Sequence, residues 1–354
     1  MSEEQGVSEE WCRLLPKVEL HAHLNGSLRD QTVLELWEQS QQKTDFDLGQ
    51  IKVPLNDSRT LSECFELFAI IHKVTGTHEA LERITREVIE DFAADNVRYL
   101  ELRTTPRANP ESGMTKQSYV ETVLRVMNEC NERLPIISRL LLSINRTQSQ
   151  EEAMETVELA QRFKKDGVVG IDWSGNPHEG TLDTFLPAFA KARGEDVDLP
   201  LTLHMAEIVN PTETERVISL KPGRVGHACF LSQELHELLL HSTIPIEICL
   251  TSNLMTKSVD SLTMHHFKDF YQASHPVILC TDDKGVFSTT LSKEYTLAAE
   301  AFQLSRKDLF QVSKGAIGHI FEPNESIKRS LYDIWEKAEE SLFSSSLTEK
   351  EEGK

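Results

Sequence analysis

The chain has 354 residues, 39% of them hydrophobic and 27% charged, a balance ordinary for a soluble globular protein. Its formal net charge of -20 argues against non-specific nucleic-acid binding and against adsorption to anionic membranes, since both partners are themselves negative. An anionic small molecule is not excluded, because a few local cations can dominate a pocket.

Residues 1–10 are rich in Glu and Ser and read as a flexible N-terminus. A first strand is expected at 18–24 (VELHAHL), and it carries His21-Ala22-His23. With a strand period of two, both imidazoles face one side and could chelate one metal ion; two histidines on a solvated face would look the same. A long connection follows, with helical patterns near 28–40, 60–74 and 78–94. Ser27, with Asp30 three residues on, reads as a capping box for the first of these. His72 falls among Phe68, Ile70 and Ile71, where helix packing alone would account for it.

A second strand is expected at 98–103 (RYLELR), followed by Thr104-Thr105-Pro106-Arg107. That loop offers two hydroxyls and a guanidinium, donors that suit a phosphate, or else an ordinary turn with a surface arginine. The third strand is expected at 137–145 and the helix after it at 149–165, where Ala153, Val157, Ala160 and Phe163 recur at helical spacing. The fourth, at 168–173 (VVGIDW), leads into Ser174-Gly175. Asp172 is expected to support the acid/base residues, with Trp173 on the opposite side filling space between barrel and helices.

The fifth strand, 201–206 (LTLHMA), carries His204 and is followed by Glu207; the sixth, 224–229 (RVGHAC), carries His227. The seventh is expected at 244–250 and the eighth at 276–281, directly before Asp282-Asp283. In isolation that acidic pair would read as a helix cap or turn. Helical segments near 306–319 and 325–342 complete the ordered chain, and 343–354 reads as a flexible tail.

The cysteines (Cys12, Cys64, Cys130, Cys229, Cys249, Cys280) form no CxxC pair, and three lie in apolar strand-like runs, so reduced, buried thiols are expected. No signal segment opens the chain, and no apolar run approaches the roughly 20 residues that span a bilayer. A cytosolic protein with no membrane partner is expected.

Eight βα units predict an α/β fold: a (β/α)8 TIM barrel of the metal-dependent hydrolase type, a single domain over 11–342. Extra helices are inserted after the first strand and at the C-terminus. A Rossmann sheet is disfavoured because no GxGxxG follows the first strand. Barrel enzymes place catalytic residues at the carboxyl ends of their strands, where this chain carries ligand-type and acid/base residues on strand after strand. Three imidazoles (His21, His23, His204) and one carboxylate (Asp282) suit Zn2+, with a bound water that would lose a proton near neutral pH. No lysine ends the fourth strand, which favours one zinc per subunit over a lysine-bridged pair.

The segments HAHLNGS (21–27), LELRTTPR (100–107), GIDWSGNP (170–177), LHMAE (203–207), RVGHAC (224–229), LTSN (250–253) and CTDDKGVFST (280–289) resemble the adenosine/AMP deaminase family. The resemblance runs from about residue 14 to about residue 340 and is greatest to a plant-type, adenosine deaminase-like branch. That branch removes methylamine from N6-methyl-AMP to give IMP. It implies that His21, His23, His204 and Asp282 ligate zinc, with His23 also touching substrate. It further implies that Glu207 protonates purine N1, that His227 holds or deprotonates the attacking water, and that Asp283 bonds N7 while the Gly175 backbone meets N3.

Departures from nucleoside-specific relatives point to a phosphate. Those relatives have an aspartate where this chain has Asn25; a carboxylate would repel a 5′-phosphate and a carboxamide can donate to it. Thr104, Thr105, Pro106 and Arg107 would join it there, with His72 as a further contact. Asn145 replaces a usual aspartate near the ribose. The expected partner is a small-molecule purine nucleotide, not nucleic acid, and a monomer is expected. Two alternatives stand beside this: deamination of free adenosine, disfavoured by Asn25 and Arg107, and a catalytically inactive barrel used as a binding module, which would need a broken site.

Overall fold

The computed structural model describes residues 6–40 and 61–343. Its eight strands are β1 (Lys17–His23), β2 (Val97–Thr104), β3 (Ile137–Asn145), β4 (Val168–Ser174), β5 (Leu201–Met205), β6 (Arg224–His227), β7 (Ile246–Ile248) and β8 (Val277–Leu279). They lie in sequence order in one sheet, every neighbouring pair parallel, with a helix or helices in each connection. The sheet closes on itself through a parallel bridge between Ala22 and Asp282. There the His23 amide donates to the Asp282 carbonyl at 3.0 Å and the Asp282 amide to the His21 carbonyl at 2.7 Å. This is the expected (β/α)8 barrel.

Helices cover one side of the strands and side chains fill the other, so even charged strand residues such as Glu19, Glu101 and Arg103 are buried, and β4 is buried at every position. Trp173 faces outward, as expected, against Phe185 and Phe189 of the helix Leu182–Ala192. Several strands stop earlier than the apolar runs suggest. Backbone at Ala206, His227, Ala228 and Asp282 is left-handed (φ 53°, 65°, 56° and 62°), at or just beyond the ends of β5, β6 and β8.

The helices inserted after β1 are Asp30–Gln39, Leu61–Val74 and His78–Ala94. The expected capping box at Ser27 does not form. The first of these helices starts at Asp30 behind Arg29, which makes no side-chain cap bond, while the Ser27 hydroxyl is buried without a partner. The Gly26 carbonyl instead accepts from the amides of Gly285 and Val286, so this segment is tied to the end of the chain's last strand. Capping boxes do form at Thr115, Ser149 and Ser305, each starting a helix on the barrel's outside.

The helix Glu9–Leu14 starts inside the segment read as a flexible end, because the Ser8 hydroxyl accepts from the Trp11 amide. The tail from 344 onward and residues 1–5 lie outside the described residues. Cys12, Cys130, Cys249 and Cys280 are buried free thiols and Cys229 is half-buried; the Cys64 side chain lies outside the described residues. Among the described residues, no helix is long and apolar enough to cross a membrane.

Candidate active site

At the carboxyl mouth of the barrel, β1, β5 and the residue closing β8 bring four groups together. His23 Nε2 lies 3.2 Å from His204 Nε2, and Asp282 Oδ1 lies 3.4 Å from both His21 Nε2 and His23 Nε2. Two atoms bound to one tetrahedral zinc, each about 2.0–2.2 Å from it, lie about 3.3 Å apart. The spacing found is the spacing one ion would impose. The His21 Nε2 atom, moreover, is fully buried with no hydrogen-bond partner, a costly arrangement that a ligand would relieve.

Two further groups come within reach. The donor atoms of His21, His204 and His227 lie within 4.8 Å of one another, as do those of His21, Cys249 and Asp282. His227 Nε2 stands farther out, 4.0 Å from Asp282 Oδ2 and 3.7 Å from Glu207 Oε1, which fits a group beside an ion rather than on it. Burial pushes the Cys249 thiol well above its ordinary range, so it stays protonated and is a poor ligand. Burial pushes His23 down to about 3, leaving its lone pair free. Burial and Arg103 disfavour a charged His21, but the carboxylates of Asp282 and Glu247 beside it carry it up to about 9, so an ion arriving there displaces a proton.

Three of the four ligand-type side chains are held from behind. Glu247 Oε2 sits 2.7 Å from His21 Nδ1, Asp172 Oδ1 lies 3.1 Å from His204 Nδ1, and the Ser252 hydroxyl donates to Asp282 Oδ2 at 2.6 Å. Arg103 joins two of these supports, donating to Asp172 at 2.9 Å and to Glu247 at 2.8 Å. Arg224 ties Glu247 to Glu101 with two bonds of 2.6 Å. Burial alone would raise the carboxyls of Asp172 and Glu247, yet the guanidinium groups beside them hold both well below the usual range. Asp172 therefore serves the histidine of β5, with Ser174 as a further donor, and not the acid/base residues as expected from sequence. This charged layer inside the barrel carried no signal along the chain: Glu101, Arg103, Arg224 and Glu247 alternate with apolar neighbours as solvent-facing residues also would.

The cluster opens into a cavity of about 120 Å³. Its wall includes His23, Asn25, His72, Thr104, Thr105, Arg107, Asn145, Gly175, Glu207, His227 and Asp283, so nearly all the expected contacts converge. Pro106 is buried and does not line the cavity. Phe68, Asn253, Thr256, Ser258 and Phe287 also line it and were not expected there, although LTSN at 250–253 marked the segment.

Burial raises the Glu207 carboxyl, and burial with Asp282 and Glu207 raises Asp283 well above the ordinary range, so both favour the acid form, which can donate a hydrogen bond. Asp283 occupies the space above Gly26, where any Cβ would stand 1.6 Å from its Oδ1. Gly175 has φ 110°, and its Cβ position is crowded by the Asn145 carboxamide, so glycine keeps backbone bare at the wall.

At the other end of the cavity, Arg107 makes no hydrogen bond or ion pair among the described residues. Burial lowers it to about 10, so it remains a cation at neutral pH. Asn25 and Thr104 are more engaged than expected. One Asn25 N–H donates to Thr75 Oγ1 at 3.1 Å, and its Oδ1 accepts a long 3.4 Å bond from Thr104, whose hydroxyl also meets Tyr119 at 2.7 Å. That leaves the second Asn25 N–H, His72, Thr105 and Arg107 among the wall donors free to meet a ligand.

A family model described as Adenosine deaminase matches residues 16–337. The chain is 47% identical over 352 residues to the N6-mAMP deaminase of Arabidopsis thaliana, covering 93% of this chain and 98% of that protein. It is 40% identical over 350 residues to the N6-methyl-AMP deaminase of Homo sapiens, covering 94% and 96%. The crystal structure of arabidopsis ADAL complexed with IMP superposes with a TM-score of 0.88 at 48% identity, over 94% of this chain and 99% of that one.

Proposed function

The chain belongs to the adenosine deaminase family, and from that membership we propose that it hydrolyses N6-methyl-AMP to IMP and methylamine. The relatives' names support the substrate, and so does the relative solved with IMP, the product this reaction would yield. The observation that carries a nucleotide over a nucleoside is Arg107: an unpartnered guanidinium in the wall of the cavity that holds the histidine cluster. Leaving a half-buried cation without a counter-charge costs stability, and a phosphate monoester would supply two negative charges and bidentate acceptors.

One divalent metal per subunit, zinc by ligand type, would be held by His21, His23, His204 and Asp282 and would make water nucleophilic near neutral pH. The chain's own residues then have distinct work. Purine N1 and N7 each present a lone pair, so the groups facing them must carry protons. Glu207, whose carboxyl burial raises and so biases toward the acid form, gives its proton to N1 as C6 is attacked, which draws electrons from the ring and opens C6 to the oxygen. Asp283, kept neutral by burial beside two other carboxyls, donates to N7. His227, between Glu207 and Asp282, meets the attacking oxygen. The backbone at Gly175 faces N3, and Asn145 beside it lies toward the ribose. Thr105, Arg107, His72 and the free N–H of Asn25 receive the phosphate.

Turnover of N6-methyl-AMP against adenosine by zinc-loaded protein tests this. The nucleotide is expected to be better by orders of magnitude in kcat/KM; comparable or better turnover of adenosine would remove the phosphate from the proposal.

A further inference from the structure

A chain of hydrogen bonds with one possible direction ends on the His227 ring. It starts at the backbone amide of Phe267, which donates to His265 Nδ1 at 3.0 Å. A backbone amide has only a proton to offer, so His265 Nδ1 is the accepting nitrogen. Burial keeps the His265 ring neutral by pushing it well below its ordinary range, and its one proton therefore sits on Nε2. That nitrogen lies 3.0 Å from Asn253 Oδ1, which accepts. The Asn253 carboxamide is thereby oriented, and its Nδ2 donates to His227 Nδ1 at 3.0 Å. His265 and Asn253 are 1% and 2% exposed, so water does not compete for these bonds. The backbone is gripped as well: His266 Nε2 donates to the His227 carbonyl at 2.7 Å, at a residue held in the left-handed region.

We propose that Asn253 and His265 are positioning residues that hold the neutral His227 ring with its proton on Nε2, so that it meets the attacking oxygen as a hydrogen-bond donor. The inference rests on the deaminase reading and deepens it. Sequence left two roles open for His227, holding the water or deprotonating it. A ring whose Nδ1 accepts and whose Nε2 is protonated has no lone pair facing the cavity, so in its resting state it takes no proton from water. Its contribution is a fixed dipole aimed where negative charge builds on oxygen. A turned Asn253 carboxamide would present oxygen to Nδ1, draw the proton there and leave Nε2 as an acceptor. The His265 link prevents that turn.

Long-range proton–nitrogen correlation spectra of zinc-loaded, 15N-histidine-labelled protein read which ring nitrogen carries the proton, with the His227 signals assigned by their loss in His227→Gln. A protonated Nε2 and bare Nδ1 at His227 are expected in the wild type; a proton on Nδ1 overturns the proposal whatever the variants do. His265→Leu removes the link: kcat on N6-methyl-AMP is expected to fall about 10-fold or more, with KM within about threefold, and the His227 signals to leave the wild-type pattern. His265→Gln, which has both a donor and an acceptor, should restore most of kcat and the pattern. An unchanged spectrum and kcat in His265→Leu would also overturn it. If the wild type fails to turn over N6-methyl-AMP, the substrate reading falls, while the spectra still decide the tautomer.

Discussion

The His23 amide donates to the Asp282 carbonyl at 3.0 Å while their side chains converge to 3.4 Å, so the seam that closes the barrel and the candidate metal cluster are one place. The last regular residue of β8 is Leu279; beyond it, the Ala22–Asp282 bridge joins last strand to first. Asp282 is held left-handed, a conformation with some cost for a residue with a side chain, though less for Asp than for most. A metal held by groups on both sides of that seam would offset the strain and staple the barrel shut.

Metal removal should therefore cost stability as well as activity. A ligand at about 1,000 times its Kd contributes about 4 kcal/mol to the folded state, enough to move the thermal midpoint by several degrees. Scanning calorimetry before and after chelation, then with zinc restored, measures it. An identical midpoint in all three samples would separate the cluster from barrel closure.

Glu207→Gln keeps the shape of the side chain and removes the proton it would give to N1. Turnover should fall about 100-fold or more, with metal content per chain unchanged by elemental analysis. Retained turnover would move the N1 proton to another donor.

Arg107→Ala should raise KM for N6-methyl-AMP by about 10- to 100-fold, the equivalent of a lost hydrogen bond to a charged group. Any weak activity on the nucleoside should be nearly unchanged. Steady-state kinetics on both substrates decides this, since equal damage to the two would make Arg107 structural.

Gly26→Ala places a Cβ 1.6 Å from Asp283 Oδ1 and 2.7 Å from its Cβ, so the whole aspartate side chain must move. A drop in kcat with a thermal midpoint near that of the wild type is expected. Normal kcat would show that the position of Asp283 is not critical.

Arg103→Met leaves the buried carboxylates of Asp172 and Glu247 short of their shared partner. Breaking a buried pair costs about 3–5 kcal/mol, so denaturant titration should show a large loss of stability. A midpoint close to wild type would mean that Arg224 suffices to hold Glu247.

By itself the sequence determined the alternation of strand and helix, the facing of His21 and His23, and the appearance of His204, Glu207, His227, Asp282 and Asp283 at strand ends. Those are local properties: a strand's period of two sets which side chains share a face, and loop residues follow the last apolar one. What only the tertiary structure decided is who stands behind whom. Asp172 supports His204, Glu247 supports His21, and Arg103 joins the two carboxylates, through residues 69 and 144 positions apart along the chain. Asn253 and His265 likewise meet His227 only once β6 and the segment after β7 lie side by side. Ser27 shows the same limit from the other direction, for its spacing promised a cap and barrel closure drew the segment elsewhere. Periodicity reports where a side chain points, whereas its partner depends on strand register and on the closing of the barrel, which bring together positions that no local pattern relates.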